Sequence, residues 1–263
     1  MLLAVDIGNT NTVLALFDHG GLLATWRIGT DRRATADELA LKVRGLLGSD
    51  VAAISGVAAC STVPALRREL HDMLGRYHAD VPCLVVDPGR DAGWRLAVDD
   101  AFEVGADRVV NALAAHTRFG GPAVVVDFGT CTNFDVVGAD GEFLGGVLAP
   151  GIGIAGDALA AQAAQLRAVE PVRSPRAIGK NTVEALQAGM VYGAAGQVDG
   201  VVERIMAALE RPVTAVVATG GLAPLVVGEC RTVTHHEPHL TLLGLLAAHE
   251  RRFAPVSLLE RAS

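Results

Sequence analysis

The chain has 263 residues, 51% hydrophobic and only 4% aromatic, with a formal net charge of −7. That composition fits one large or two ordinary α/β domains with cores of Ala, Val, Leu and Ile. No uncharged apolar stretch is long enough to span a bilayer, and "MLLAV" before Asp6 lacks the basic start of a signal peptide. The acidic balance, without any Lys/Arg tract, argues against a nucleic-acid partner and for a small ligand. Cys60, Cys83, Cys131 and Cys230 form no Cys-x-x-Cys pair, as expected of reduced thiols in the cytoplasm.

Residues 2–7, 12–17 and 22–28 read as a strand meander with turns at "GNTN" and "DHGG". "TADELALKVRGLL" predicts a helix, with Thr35 and Glu38 at capping-box spacing. "VAAISGV" reads as the next strand. "CSTVPALRRELHDML" opens a helix with Pro64 in its first turn. "VPCLVVD" follows as a buried strand, "PGRDAGW" as a loop, and "ADRVVNALAAHTRF" as a helix by its apolar spacing.

The opening pattern then returns. "AVVVDFGTCTNFDVVGADGEFLGGVLAP" is again strand, Asp-x-Gly, small polar residues, strand, turn and strand. Asp6/Gly8 and Asp127/Gly129 occupy equivalent places. Helices at about 153–166 and 181–209, a strand "VTAVVA", a turn "TGG" and a helix from Leu240 to Arg251 complete the pattern, and the last ten residues read as a loose tail. The expected architecture is α/β with two related halves, 1–120 and 121–263, and a ligand cleft between them.

Small residues at a strand-to-strand turn let backbone amides converge on an anion, phosphate above all. Thr10, Thr12, Thr130 and Thr132 could add hydroxyls. Asp6 suits a hydrated Mg²⁺, and Asp127 a second cation or an ordered water. One such turn alone reads as a plain hairpin. Its repetition, with "ATGG" after another buried strand as an adenosine-side turn, predicts a phosphate clamp.

Three other patterns do not read as sites. "GIGIAG" at 151–156 is a literal Gly-x-Gly-x-x-Gly, but Pro150 intervenes and "QLRAVEPVRSP" is a poor second strand for a dinucleotide fold. "SPRAIGKNT" has Ser174 and Asn181 where a P-loop needs Gly and Ser/Thr. "THHEPHL" gathers His235, His236, Glu237 and His239, which read as a solvated loop rather than a metal site.

The segments "DIGNTNT", "EVGADRVVNALAAH", "VVDFGT", "GEFLGGVLAPGI", "IGKNTVEALQAGMVYG" and "ATGG" together resemble, in order, the signature segments of type III pantothenate kinase. The resemblance runs from about residue 2 to about residue 250. It implies an actin/Hsp70/sugar-kinase-like (ribonuclease H-like) fold, a homodimer, ATP and pantothenate as substrates, and dependence on a monovalent cation, K⁺ or NH₄⁺, beside Mg²⁺ with ATP. The reaction it implies yields 4'-phosphopantothenate, the first step of coenzyme A biosynthesis. By the same resemblance, Asp6, Ile7, Gly8, Asn9, Thr10, Asn11, Thr12 and Val13 form the first phosphate loop, and Thr130 touches ATP. Gly105, Ala106, Asp107 and Arg108 hold pantothenate, with Asp107 as proton acceptor. Asp127 belongs to the monovalent-cation site, and Thr182 contacts substrate, in the partner subunit's site. Asp107 opens a helix, where the dipole and Arg108 are expected to favour its ionised form.

The chain departs from the family pattern at Val98 and Ala101, where a Tyr-x-Asn-Pro segment is common, and at Cys131 and Asn133, within a Gly-Thr-Ala-Thr-Thr segment. Two further readings share the scaffold: a nucleotide-binding regulatory homologue with little or no turnover, and a kinase for another small hydroxylated acid.

Overall fold

The computed structural model describes residues 1–19, 21–89, 94–163 and 166–253. The chain divides into two compact units, Met1–Ala114 together with the chain from Thr241, and Ala115–Leu240.

In the first unit, β1 (Leu2–Ile7), β2 (Asn11–Asp18) and β3 (Gly21–Gly29) form an antiparallel meander. β4 (Gly56–Ser61) pairs parallel with β1, and β5 (Cys83–Val85) parallel with β4, giving the order β3-β2-β1-β4-β5. Alternation along β1 sends side chains to opposite faces. Leu3, Val5 and Ile7 pack with α1 (Ala36–Leu47) and α2 (Pro64–Tyr77) through Leu39, Val43, Leu66 and Leu70. Leu2 and Ala4 face the other way, towards Val110 and Leu113 of α3 (Ala106–Phe119) and Leu242 and Leu245 of α7 (Leu240–Phe253). Gly244 lets α7 lie directly on α3, since a Cβ there would come 2.0 Å from the Val110 carbonyl oxygen.

The second unit repeats the plan. β6 (Ala123–Phe128), β7 (Cys131–Val137) and β8 (Phe143–Pro150) are antiparallel neighbours. β9 (Ala215–Thr219) pairs parallel with β6, and β10 (His235–His236) parallel with β9. Val124, Val126, Phe128 and Phe134 pack against Val198 and Val202 of α5 (Thr182–Leu209). α4 (Ile152–Gln162) follows β8, and the short α6 (Ala223–Val226) follows β9.

Several expectations shift. "VAAI" lies in a 3₁₀ turn over Gly48–Ala53 and Ile54, and the strand begins only at Gly56, so Cys60 and Ser61 belong to β4 and not to the helix start. His235 and His236 form an edge strand rather than a loop. β8 includes Pro150 and runs straight into α4, so Pro150 does not separate strand from helix. β8 is antiparallel to β7, and that pairing takes the place of a dinucleotide-binding βαβ unit. The division at Ala114/Ala115, with α7 returned to the first unit, differs from the expected 1–120 and 121–263. Gly20 of the "DHGG" turn, residues 90–93 of "PGRDAGW", residues 164–165 and the expected tail at 254–263 lie outside the described residues.

Candidate functional site

The β1–β2 turn is closed by the Gly8 amide, which donates to the Asn11 carbonyl at 3.0 Å, leaving Asn9 and Thr10 exposed. Thr12 is buried, and its hydroxyl is engaged with the Thr30 hydroxyl at 2.9 Å. Thr30 braces the whole turn: its hydroxyl donates to the Gly8 carbonyl at 2.8 Å and its amide to the Thr10 carbonyl at 3.0 Å. On the other side the Thr62 amide donates to the Ile7 carbonyl at 3.0 Å. Ile7 itself is core, so with half-buried Val13 it offers the turn backbone rather than side chain. Arg32 brings a guanidinium to the Asn9 carbonyl at 3.4 Å, setting a cation beside the exposed tip.

Asp6 is the last residue but one of β1, opposite Val13 on one side and Cys60 on the other. The fully buried Cys60 thiol donates to Asp6 Oδ1 at 3.4 Å. The charges of both Asp6 and Asp107 reach this thiol, so the first turn and the start of α3 converge in one unit. There Asp107 Oδ1 accepts from the Arg108 amide at 2.9 Å and lies over Gly105, where a Cβ would come 2.5 Å from it. Gly105 thus leaves room for the Asp107 carboxylate in that position, and Ala106 anchors the turn in the core.

Burial pushes the Asp107 carboxyl above the usual aspartate range, against the Arg108 amide and guanidinium, which pull it down. This reverses the sequence expectation: helix start and arginine act as foreseen, but desolvation outweighs them. A carboxylate with raised proton affinity suits proton acceptance. Just upstream, Asp100 Oδ1 accepts from the Phe102 amide at 2.8 Å and caps a 3₁₀ turn over Ala101–Glu103, in the stretch that departs from the family pattern.

The second turn mirrors the first. The Gly129 amide donates to the Cys131 carbonyl at 3.0 Å, Gly129 and Thr130 are exposed, and Thr132, like Thr12, is buried. Asp127 lies opposite Asn133 and Thr219, as Asp6 lies opposite Val13 and Cys60. Two glycines clear room here. A Cβ on Gly220, whose φ is +92°, would come 2.4 Å from Asp127 Oδ1, and one on Gly151 would come 2.2 Å from the Thr130 carbonyl oxygen. The first glycine of "GIGIAG" thus serves close approach to the second turn. Thr182 begins α5 in the second unit, exposed, with the cap supplied by Asn181 Oδ1 accepting from the Glu184 amide at 2.9 Å. Glu237 of the histidine cluster binds Arg118 at 2.7 Å and the His239 amide at 3.2 Å.

Thr30, Cys60 and Gly151 were not foreseen. Thr30 and Cys60 act across 18 to 54 residues of sequence, beyond any local pattern, whereas Gly151 was visible only inside the strings "GIGIAG" and "GEFLGGVLAPGI", neither of which gave it a role of its own.

Comparison with known proteins places this geometry. A solved structure of the activator of 2-hydroxyisocaproyl-CoA dehydratase from Clostridium difficile superposes with a TM-score of 0.56 at 15% identity, covering 98% of this chain and 97% of that one. A ROK hexokinase from Thermus thermophilus gives 0.53 at 16% identity, covering 94% and 97%. The fold is thus of the actin/Hsp70/sugar-kinase type. A type III pantothenate kinase of Salinispora arenicola is 61% identical over 251 residues, 95% of this chain and 99% of the relative. The sequence model of that family matches residues 2–204, and the chain belongs to the type III pantothenate kinase family.

Proposed function

We propose that this protein transfers the γ-phosphoryl group of ATP to the hydroxyl of pantothenate, giving 4'-phosphopantothenate, the first committed intermediate towards coenzyme A. The observation that carries the reading is the desolvated Asp107 carboxylate, held over Gly105 at the start of α3 in the same unit as the Asp6 turn. Phosphoryl transfer gains most from positioning and charge neutralisation, with a carboxylate to receive the hydroxyl proton. Asp107 accepts that proton as the oxygen–phosphorus bond forms, and Arg108 pairs with the pantothenate carboxylate. In the first turn Asp6 to Val13 surround phosphate oxygens, and Asp6 would hold Mg²⁺, which would neutralise phosphate charge there. Thr130 of the second turn contacts ATP.

A monovalent cation fits beside Asp127. Asn133 stands opposite Asp127 in the β6–β7 pair, and its Oδ1 is buried without a hydrogen-bond partner. Directly opposed residues share a face, with Cβ atoms about 5 Å apart. Carboxylate and amide oxygens are the donors that K⁺ or NH₄⁺ accepts, and when bound the ion neutralises negative charge near the phosphates. Asp127 and Asn133 would hold it.

A homodimer fits the second unit. Leu148 of β8 and Ile154 and Leu159 of α4 are exposed. Gly189, Gly193 and Gly196 of α5 face open space, a small-residue stripe that allows close approach of a partner chain, whose site Thr182 would then reach. Among the described residues no helix is long and apolar enough to cross a membrane, and the cytoplasm is the proposed location.

The test is coupled ADP release with pantothenate and Mg-ATP, in K⁺, NH₄⁺ and Na⁺ buffers. Pantothenate-dependent turnover that requires K⁺ or NH₄⁺ is expected. ATP binding by calorimetry without turnover on pantothenate would overturn the reading in favour of a regulatory homologue. Turnover only on another hydroxy acid would reassign the substrate.

A further inference from the structure

Cys60 is placed unlike the other three cysteines. β1 and β4 run parallel with Asp6 and Cys60 in register. Leu2 and Ala4 of β1, and Ala58 and Cys60 of β4, belong to the same buried cluster as Ala106 and Val110 of α3. By the two-residue period of a strand, Asp6 points to that same face. The Cys60 thiol therefore sits at the wall where the first turn and the start of α3 meet, wholly buried, with its hydrogen directed at Asp6 Oδ1 at 3.4 Å. The distance suits a thiol donor, given the larger radius of sulfur.

The repeat supplies an independent argument. In the second unit the residue in register with Asp127 on the parallel strand is Thr219, which is buried too. Each sheet thus sets a side chain bearing a donor hydrogen beside the acid next to the end of its first strand. The buried cluster that holds Cys60 is otherwise apolar, so the polar partner its thiol meets is Asp6.

We propose that Cys60 is a positioning residue for phosphoryl transfer: its S–H bond to Asp6 fixes the rotamer of that carboxylate for the Mg²⁺-bound phosphates. The proposal rests on the kinase reading and deepens it. The roles in the bond are set by geometry: the sulfur donates and Asp6 Oδ1 accepts at 3.4 Å, so Cys60 serves the site as a hydrogen-bond donor.

Three variants test it: Cys60→Ala, Cys60→Ser and, as a bulkier apolar filler should alanine fail to fold, Cys60→Val. Losing one hydrogen bond to a charged group should lower kcat and raise the Mg²⁺ requirement about tenfold in the apolar variants, while Cys60→Ser recovers to within about twofold. The KM for pantothenate should hold steady. Serine failing as badly as the apolar variants, or an apolar variant as active as wild type, overturns the proposal. A second readout needs no turnover. The S–H stretching band that disappears in Cys60→Ser should shift to higher frequency in Asp6→Ala, where its acceptor is gone. An unmoved band also overturns the proposal. A protein with no pantothenate-dependent turnover but a shifting band would instead refute the kinase reading and leave the bond standing.

Discussion

Asp107 faces two opposed demands: a useful base needs proton affinity, and a stable fold dislikes a buried charge. Its carboxyl is pushed above the ordinary aspartate range by burial, so the folded protein binds this proton more tightly than the unfolded chain does. The stability this brings is fully present below the unfolded-state pKa and is lost as pH rises through the folded-state pKa. Asp107→Asn should therefore melt no lower than wild type at neutral pH, the gap closing on acidification, while kcat falls about 10²- to 10⁴-fold. Scanning calorimetry and coupled kinetics on one preparation read both. In wild type the acidic limb of kcat/KM should lie above the usual aspartate range for the same reason. Gly105→Ala isolates geometry from charge. Its Cβ would press on Asp107 Oδ1 at 2.5 Å, and a side-chain oxygen can swing away at little cost to the fold. Displacing that base by about 1 Å should cost on the order of 10²-fold in kcat with the melting temperature nearly unchanged; an unaffected kcat would show that the carboxylate need not lie there.

At the scale of elements, what could be read in the sequence was what neighbours in the chain decide. The Thr35/Glu38 capping box forms as spaced, with Glu38 Oε2 accepting from the Thr35 amide at 2.8 Å, and the 3.6-residue pattern of "ADRVVNALAAHTRF" matches α3 residue for residue. "VAAI" misled because an apolar run has the same look in a strand and in a 3₁₀ turn, and here Gly48 at φ +58° turns the chain before the strand can start. The two Asp-x-Gly turns were legible by repetition, whereas their supports were not, because Thr30, Cys60 and Gly151 meet them only after folding. The same holds for Asp199 of α5. It is buried and accepts from the amides of Arg231 and Thr232, the Thr232 hydroxyl and Arg231 Nε, fastening the long helix to the segment ahead of β10. Burial raises its pKa, but these bonds outweigh burial and the net direction is down. Its stability contribution is present above the unfolded-state pKa and lost as pH falls through the folded-state value. Asp199→Ala should cost about 3 kcal/mol in urea unfolding at pH 7, and the deficit should shrink in acid. A constant deficit across pH would mean that packing, not charge, holds the helix.

At the scale of the whole molecule, the second unit carries a surface that a lone chain does not explain. Leu148 is 63% exposed on β8, and the adjoining α4 exposes Ile154 and Leu159. The α5 glycines add the decisive feature. Glycine in a helix interior costs about 1 kcal/mol relative to alanine, yet at Gly189, Gly193 and Gly196 an added Cβ would touch nothing within 4 Å. Within one chain these glycines weaken the helix for no packing return. Against a second chain they permit backbone-to-backbone approach. Gly193→Glu separates the cases, because it strengthens the isolated helix and obstructs only an intermolecular contact. Sedimentation should find wild type dimeric and Gly193→Glu monomeric, with circular dichroism unchanged. Since Thr182 begins the same helix and is proposed to reach the partner's substrate, the monomer should also lose pantothenate turnover while its own Asp107 is intact. A monomeric variant that turns over at the wild-type rate would show each chain to be complete by itself, and Thr182 to be no more than the first residue of α5.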